Sequence, residues 1–151
     1  HAIFQTAGTM GPSTSDRSSL RAGVPGVAAC GGAPDVRSDI DPVAVDVARA
    51  NLAANGLAGR VETCEAAGFD APLLRSRAPY DLVFANILKA PLLRLAPDLA
   101  RYLTPGGRAI LSGILTTQSD EVQTAYEKTG FALETRDDHG EWTTLVMRRD
   151  Q

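Results

Sequence analysis

With 151 residues, the chain is long enough for one domain with its own core. Hydrophobic residues make up 44% and charged residues 22%, and no apolar run approaches the roughly 18 residues that span a bilayer, so no membrane partner is expected. A formal net charge of −3 excludes a sequence-independent nucleic-acid binder, which needs a basic face to displace phosphate counterions.

Residues 1–38 are rich in Gly, Pro, Ser and Thr and follow neither a strand nor a helix period, so composition reads them as loop, linker or disorder. The start has no signal-peptide pattern. Cys30 and Cys64 fit no metal or disulfide spacing and read as small buried hydrophobes in a reducing cytosol. From Asp39 the pattern turns regular, which places a boundary between a 1–38 segment and a 39–151 core.

Asp41 suits a helix cap and Pro42 its first turn, with Val43, Val47, Ala48 and Leu52 at helical spacing and Asn55-Gly56 as the stop. A short strand follows around Val61 to Cys64. Tyr80 to Ala85 is an apolar run of the kind buried in a parallel sheet. Pro91 to Leu103 predicts a helix with Leu92, Leu95, Leu99 and Leu103 on one face, kinked or restarted at Pro97. Thr104-Pro105-Gly106-Gly107 is a turn, and Arg108 to Ser112 leads a strand. Ser119 to Thr129 is an acid-first helix ended by Gly130. Phe131 to Thr135 and Trp142 to Met147 form a closing hairpin. Strands alternating with helices imply an α/β fold: a doubly wound, mostly parallel sheet with an antiparallel C-terminal hairpin.

Three places carry chemistry-bearing residues. Asp39, in Asp39-Ile40-Asp41, stands just before a helix, where in an open α/β sheet a carboxylate can accept hydrogen bonds from both ribose hydroxyls of a nucleoside; the alternative is a helix cap, the favoured reading for Asp41. Asn86 ends the YDLVFAN strand, where an amide can offer its oxygen to an amine; the alternative is a local turn. Glu65-Ala66-Ala67 ends another strand and either lines an adenine pocket or is a solvated loop. His139 reads as a surface residue, and Trp142 as core or hairpin packing rather than a binding platform. No zinc spacing, phosphate-cradling loop or Ser-His-Asp signature is present, so no metal is expected.

Together, DIDPVAVDVARANLAANGL, YDLVFANILKAPLLRLAPDLARYLTPGGRAILSGIL and GEWTTLVMRR resemble the ribosomal protein L11 methyltransferase (PrmA-like) family of bacterial class I S-adenosylmethionine-dependent methyltransferases, over Gly32 to Arg149. The resemblance implies a Rossmann-like fold and S-adenosyl-L-methionine as cofactor. It implies a cytoplasmic enzyme that methylates lysine and amino-terminal groups of large-subunit ribosomal protein L11. By the same resemblance Asp39 holds the cofactor ribose, Ile40 also binds the cofactor, and Glu65 and Ala66 border the adenine. Asn86 contacts both the methionine end of the cofactor and the target amine, as the catalytic residue. One departure stands out. The family's glycine-rich loop belongs about twenty residues before the ribose aspartate, where this chain reads RSSLRAGVPGVAAC, with VAACGGAP resembling the end of the helix that should follow. Residues 1 to about 26 therefore read as either divergent or not the ancestral sequence, as a local frameshift would leave them. Two alternatives stay open: a methyltransferase acting on another substrate class such as small amines, and a non-catalytic remnant. A nicotinamide-dependent dehydrogenase is disfavoured, because its GxGxxG fingerprint is absent before Asp39.

Overall fold

The computed structural model describes residues 3–6, 27–31, 33–39, 42–54, 56, 61–65 and 68–151, and before residue 42 the only side chain described is that of Ser38. Eight strands form one mixed sheet: β1 Ile3–Thr6, β2 Val27–Gly31, β3 Ala33–Asp39, β4 Val61–Glu65, β5 Tyr80–Asn86, β6 Leu103–Leu115, β7 Phe131–His139 and β8 Trp142–Arg149. Four α-helices accompany them: α1 Pro42–Ala54, α2 Pro72–Ser76, α3 Lys89–Tyr102 and α4 Ser119–Glu127, the last preceded by a 3-10 turn at Thr116–Gln118.

The β3–β4 and β5–β6 ladders are parallel. β1 and β2 lie between β3 and β5 and run antiparallel to both. β8 then pairs antiparallel with β6 and with β7, the expected closing hairpin. Thus β3, β4, β5, β6 and β7 point one way, and β1, β2 and β8 the other. The helical crossover from β3 leads outward to β4, and that from β5 leads outward to β6 on the opposite side. The slot between β3 and β5 is therefore the place where strand order reverses.

The sheet's register lines up its core. Val83, Ala109 and Met147 are successive partners across β5, β6 and β8, as are Ala85, Leu111 and Leu145, and all six are fully buried. Against this sheet α3 packs Leu92, Leu95, Ala96 and Leu99, and α4 packs Val122 and Tyr126. The Tyr126 hydroxyl donates to the Leu92 carbonyl oxygen at 2.9 Å, tying α4 to α3, and its phenol pKa is pushed up by burial. Under α2, Tyr80 donates to the Leu74 carbonyl at 2.6 Å, and Phe69 lies against Tyr80 and Tyr102.

Several expectations need correction. Val27–Gly31, read as the end of a helix, is a strand, because its amides find partners on β3 and β5. On α1 the buried face is Val45, Ala48 and Leu52, whereas Val43 and Val47 are exposed. Helical spacing alone leaves the phase of the buried stripe open when apolar residues surround the helix. Pro97 does not restart α3, which runs unbroken through it. Three buried leucines at about 1.5–3 kcal/mol each outweigh the cost of about 3 kcal/mol for an interior proline. Thr104 to Gly107 falls inside β6 as a bulge: β5 partners move from Leu103 to Arg108 between Tyr80 and Leu82, and Gly106 takes φ +77°. Trp142 is 55% exposed rather than core. The side chains of Cys30 and Cys64, and residues Ile40, Asp41, Asn55, Ala66 and Ala67, lie outside the description.

Candidate active site

In an open α/β sheet, ligands bind beyond the carboxyl ends of the parallel strands, at the position where strand order reverses. Here β3 ends at Asp39, β4 at Glu65 and β5 at Asn86, all on one rim. Asp39 and Glu65 are direct register partners, and Asn86 partners Ser112 on β6. β1 measures the separation of the first and last: Ile3 sits opposite Asp39, and the next residue, Phe4, opposite Ala85. Asp39 and Asn86 therefore flank the reversal point at nearly the same level, two strand spacings or roughly 10 Å apart.

Asn86 is exposed at its strand end while the next residue, Ile87, is buried at 4%. That alternation fixes the backbone with the amide outward. On its other side the sheet makes room with a glycine. Gly113 has φ +76°, and a Cβ there would stand 2.6 Å from Asn86 Oδ1 and 3.3 Å from the Ile87 carbonyl oxygen. The ladder between β6 and β8 also shifts register from Leu111 to Ile114, around this residue. A glycine inside an apolar strand signals such a bulge or close approach; the LSGIL run carried that signal unread.

Just beyond Asn86, α3 begins at Lys89, whose ammonium donates to Glu121 Oε2 at 2.8 Å and so joins the start of α3 to α4. Ser38, one residue before Asp39, is 1% exposed, and its hydroxyl has no hydrogen-bond partner among the described residues. An unsatisfied hydroxyl buried beside a strand tip was not foreseeable from composition. No group of three or more His, Cys, Asp or Glu among the described residues is arranged to hold a metal ion.

The donor set suits a nucleoside with an attached amino acid. Two carboxylate-bearing residues end adjacent strands where ribose and adenine would lie, and a neutral amide ends the strand across the reversal point, with a cradle beside it that a Cβ would fill. The side chains of Asp39 and Glu65, and residues Ile40 and Ala66, lie outside the description, so only the backbone places the two strand ends on this rim.

The family model for ribosomal protein L11 methyltransferase (PrmA) matches residues 22–150. A ribosomal protein L11 methyltransferase from Chelativorans sp. (strain BNC1) is 50% identical over 116 residues, 77% of this chain and 40% of the relative. One from Brucella suis is 44% identical over 115 residues, again covering 40% of the relative. The chain thus spans about two fifths of the length of the curated relatives it matches. Among solved structures, a ribosomal protein L11 methylase from Lactobacillus delbrueckii subsp. bulgaricus superposes with a TM-score of 0.70 at 27% identity, over 77% of this chain and 57% of that one. An RNA methyltransferase from Salinibacter ruber in complex with S-adenosyl-L-homocysteine shares the fold alone, with a TM-score of 0.55 at 20% identity over 77% of this chain and 65% of that one. The fold is that of the class I S-adenosylmethionine-dependent methyltransferases, and the chain belongs to the ribosomal protein L11 methyltransferase family.

Proposed function

We propose that this chain is the catalytic core of an S-adenosyl-L-methionine-dependent methyltransferase acting on amino groups, lysine and N-terminal, of large-subunit ribosomal protein L11 in the bacterial cytoplasm. The observation that carries the reading is the pairing of Asp39 and Asn86 on one rim, on either side of the reversal point, in a member of this family. When bound, the cofactor supplies a methyl group on a sulfonium that is already electrophilic. The residues are left to bind, orient and keep the acceptor nitrogen neutral.

Asp39, with Ile40, holds the ribose through its hydroxyls, and Glu65 and Ala66 border the adenine. Asn86 accepts a hydrogen bond from the acceptor amine, and holding that nitrogen in line is chiefly an orientation effect. A free lysine near pKa 10.4 costs about 4.6 kcal/mol to deprotonate at pH 7. A neutral amide beside the amine, in place of a carboxylate, adds no charge that favours the ammonium form. Incubation with methyl-labelled cofactor and purified ribosomal protein L11 is expected to label amino groups of that protein. A chain that binds cofactor but labels only small amines contradicts the substrate assignment.

One observation favours a second reading, a domain that keeps the sheet without binding cofactor. β2 enters the reversal slot antiparallel, and its carboxyl end, at Gly31, meets Ala33 at the start of β3 on the opposite rim. A strand running that way delivers no strand-to-helix loop to the cofactor rim. Titration with cofactor separates the two readings.

A further inference from the structure

The helix that begins beside Asn86 opens against the rules of helix ends. Its cap residue is Leu88, in extended backbone with φ −64° and ψ 159° and with no side-chain capping bond. Ser, Thr, Asp or Asn suit that position, where an oxygen accepts from the free amides of the first turn, and leucine is among the poorest occupants. The first turn of α3 also carries no acidic residue. Its one charge is the Lys89 ammonium, which has the wrong sign for the positive end of a helix and is offset by Glu121 at 2.8 Å. By contrast, α4 opens with Asp120 and Glu121.

Nor does Leu88 serve the packing. Ile87 stands immediately before the cap at 4% exposure and Leu92 four positions after it at 0%, and both belong to the core cluster. That is the spacing of a hydrophobic staple, which fixes how the chain enters a helix. Ile87 thus does the anchoring, while Leu88 is left 63% exposed. A single exposed leucine is ordinary. One that also takes the place of a cap, two residues from the proposed catalytic amide, calls for a functional reason, because such departures from local rules gather at functional sites.

Asn86 is exposed, Ile87 buried and Leu88 exposed, an alternation that puts Asn86 and Leu88 on the same outward side. Two extended residues set their backbones about 7 Å apart. A lysine presents its amine at the end of a four-carbon stem, and such stems lie along apolar surface while the head reaches a polar partner. An N-terminal amine has no stem. We infer that Leu88 is a specificity-determining residue: it carries the methylene stem of an acceptor lysine while Asn86 receives the amine, and so favours lysine side chains over N-terminal amines. This inference rests on the reading that Asn86 receives the acceptor amine.

The full chain is assayed with methyl-labelled S-adenosyl-L-methionine on two peptides. One has a single lysine and an acetylated N-terminus; the other lacks lysine and has a free N-terminus. Leu88→Ser is expected to raise KM for the lysine peptide by about fivefold or more, somewhat beyond the worth of one buried methylene, with a smaller change in kcat. The lysine-to-N-terminal ratio of kcat/KM is expected to fall by a similar factor. Leu88→Met keeps an apolar side chain of similar size and is expected to hold that ratio near the parent's. The serine also supplies the missing cap, so Leu88→Ser is expected to melt at a higher temperature than the parent chain. An unchanged ratio in Leu88→Ser overturns the inference, and so does a lower melting temperature, which makes Leu88 a packing residue. The two failures are distinguishable. A parent chain that labels neither peptide removes the reading of Asn86 and this inference with it, whereas a parent that labels both, with Leu88→Ser unchanged in ratio, removes the inference alone.

Discussion

Asn86 sits at the surface, so its removal takes away a functional group without opening a hole in the core. Asn86→Ala is expected to abolish most methyl transfer while shifting the melting temperature by no more than a surface substitution does, about 0.5 kcal/mol or less in stability. Unchanged turnover in that variant removes the amide from the mechanism. Gly113 is a sharper probe, because it acts through shape. An alanine there meets Asn86 Oδ1 at 2.6 Å and must also adopt φ +76°. Gly113→Ala is expected to cost about 1–3 kcal/mol by denaturant unfolding and to displace the Asn86 amide. Full stability together with full activity contradicts the cradle. Ser38 gives the opposite sign. Its buried hydroxyl lacks a partner among the described residues, so Ser38→Ala should be neutral or stabilising by up to roughly 1–2 kcal/mol. A clear loss of stability in urea would mean that the hydroxyl is satisfied after all.

At the scale of elements, the second half of the chain is held by a few specific ties as well as by apolar packing. Tyr126→Phe keeps the ring among its neighbours and removes the hydroxyl's bond to the Leu92 carbonyl, which keeps its helical donor. The expected loss is about 0.5–1.5 kcal/mol, read as a lower urea midpoint with unchanged slope. The hairpin of β7 and β8 has a titratable tie. Thr143 Oγ1 donates to Asp138 Oδ1 at 2.6 Å, and this bond first, then Arg136, holds the Asp138 carboxyl below its ordinary 3.8. A carboxyl depressed in the folded state contributes stability that is fully present above its unfolded value and lost as pH falls through the folded one. The loss therefore belongs to strongly acid solution, below about 4. Thr143→Val removes the donor, so its acid unfolding followed by circular dichroism should begin at a higher pH than that of the parent chain. Coincident acid transitions would show that the bond does not bias the titration.

For the whole molecule, legibility follows where the chain's local signals agree with one another. The apolar run Tyr80 to Ala85, the leucine stripe of α3 and the hairpin around Gly140 were readable because burial, period and turn chemistry point the same way. Asn86 was readable as a strand end, because a polar residue closes the apolar run before it; the strand that ends at Asp39 was not, because Ala33–Asp39 carries no apolar run and reads as loop. The phase of α1 was not, because Val43, Val45 and Val47 crowd one stretch and only packing against the sheet selects Val45. Nor was the strand at Val27–Gly31, whose small residues carry little preference of their own and take their conformation from the ladders on either side. Short α2 escaped notice because five residues show no period. Of the two readings of Trp142, core and hairpin packing, exposure removes the core one, because alternation along β8 identifies a strand without saying which of its faces is covered.

The account stands on a sulfonium nucleoside being clasped between two strand tips on a single rim. Isothermal titration of the chain with S-adenosyl-L-methionine, repeated on Asp39→Ala and on the outlying Val47→Ala as a control, tests that most directly. The account predicts saturable one-to-one binding that the control retains and Asp39→Ala weakens at least tenfold, about 1.4 kcal/mol or more. Absence of binding by the parent chain, or equal affinity in Asp39→Ala, contradicts it.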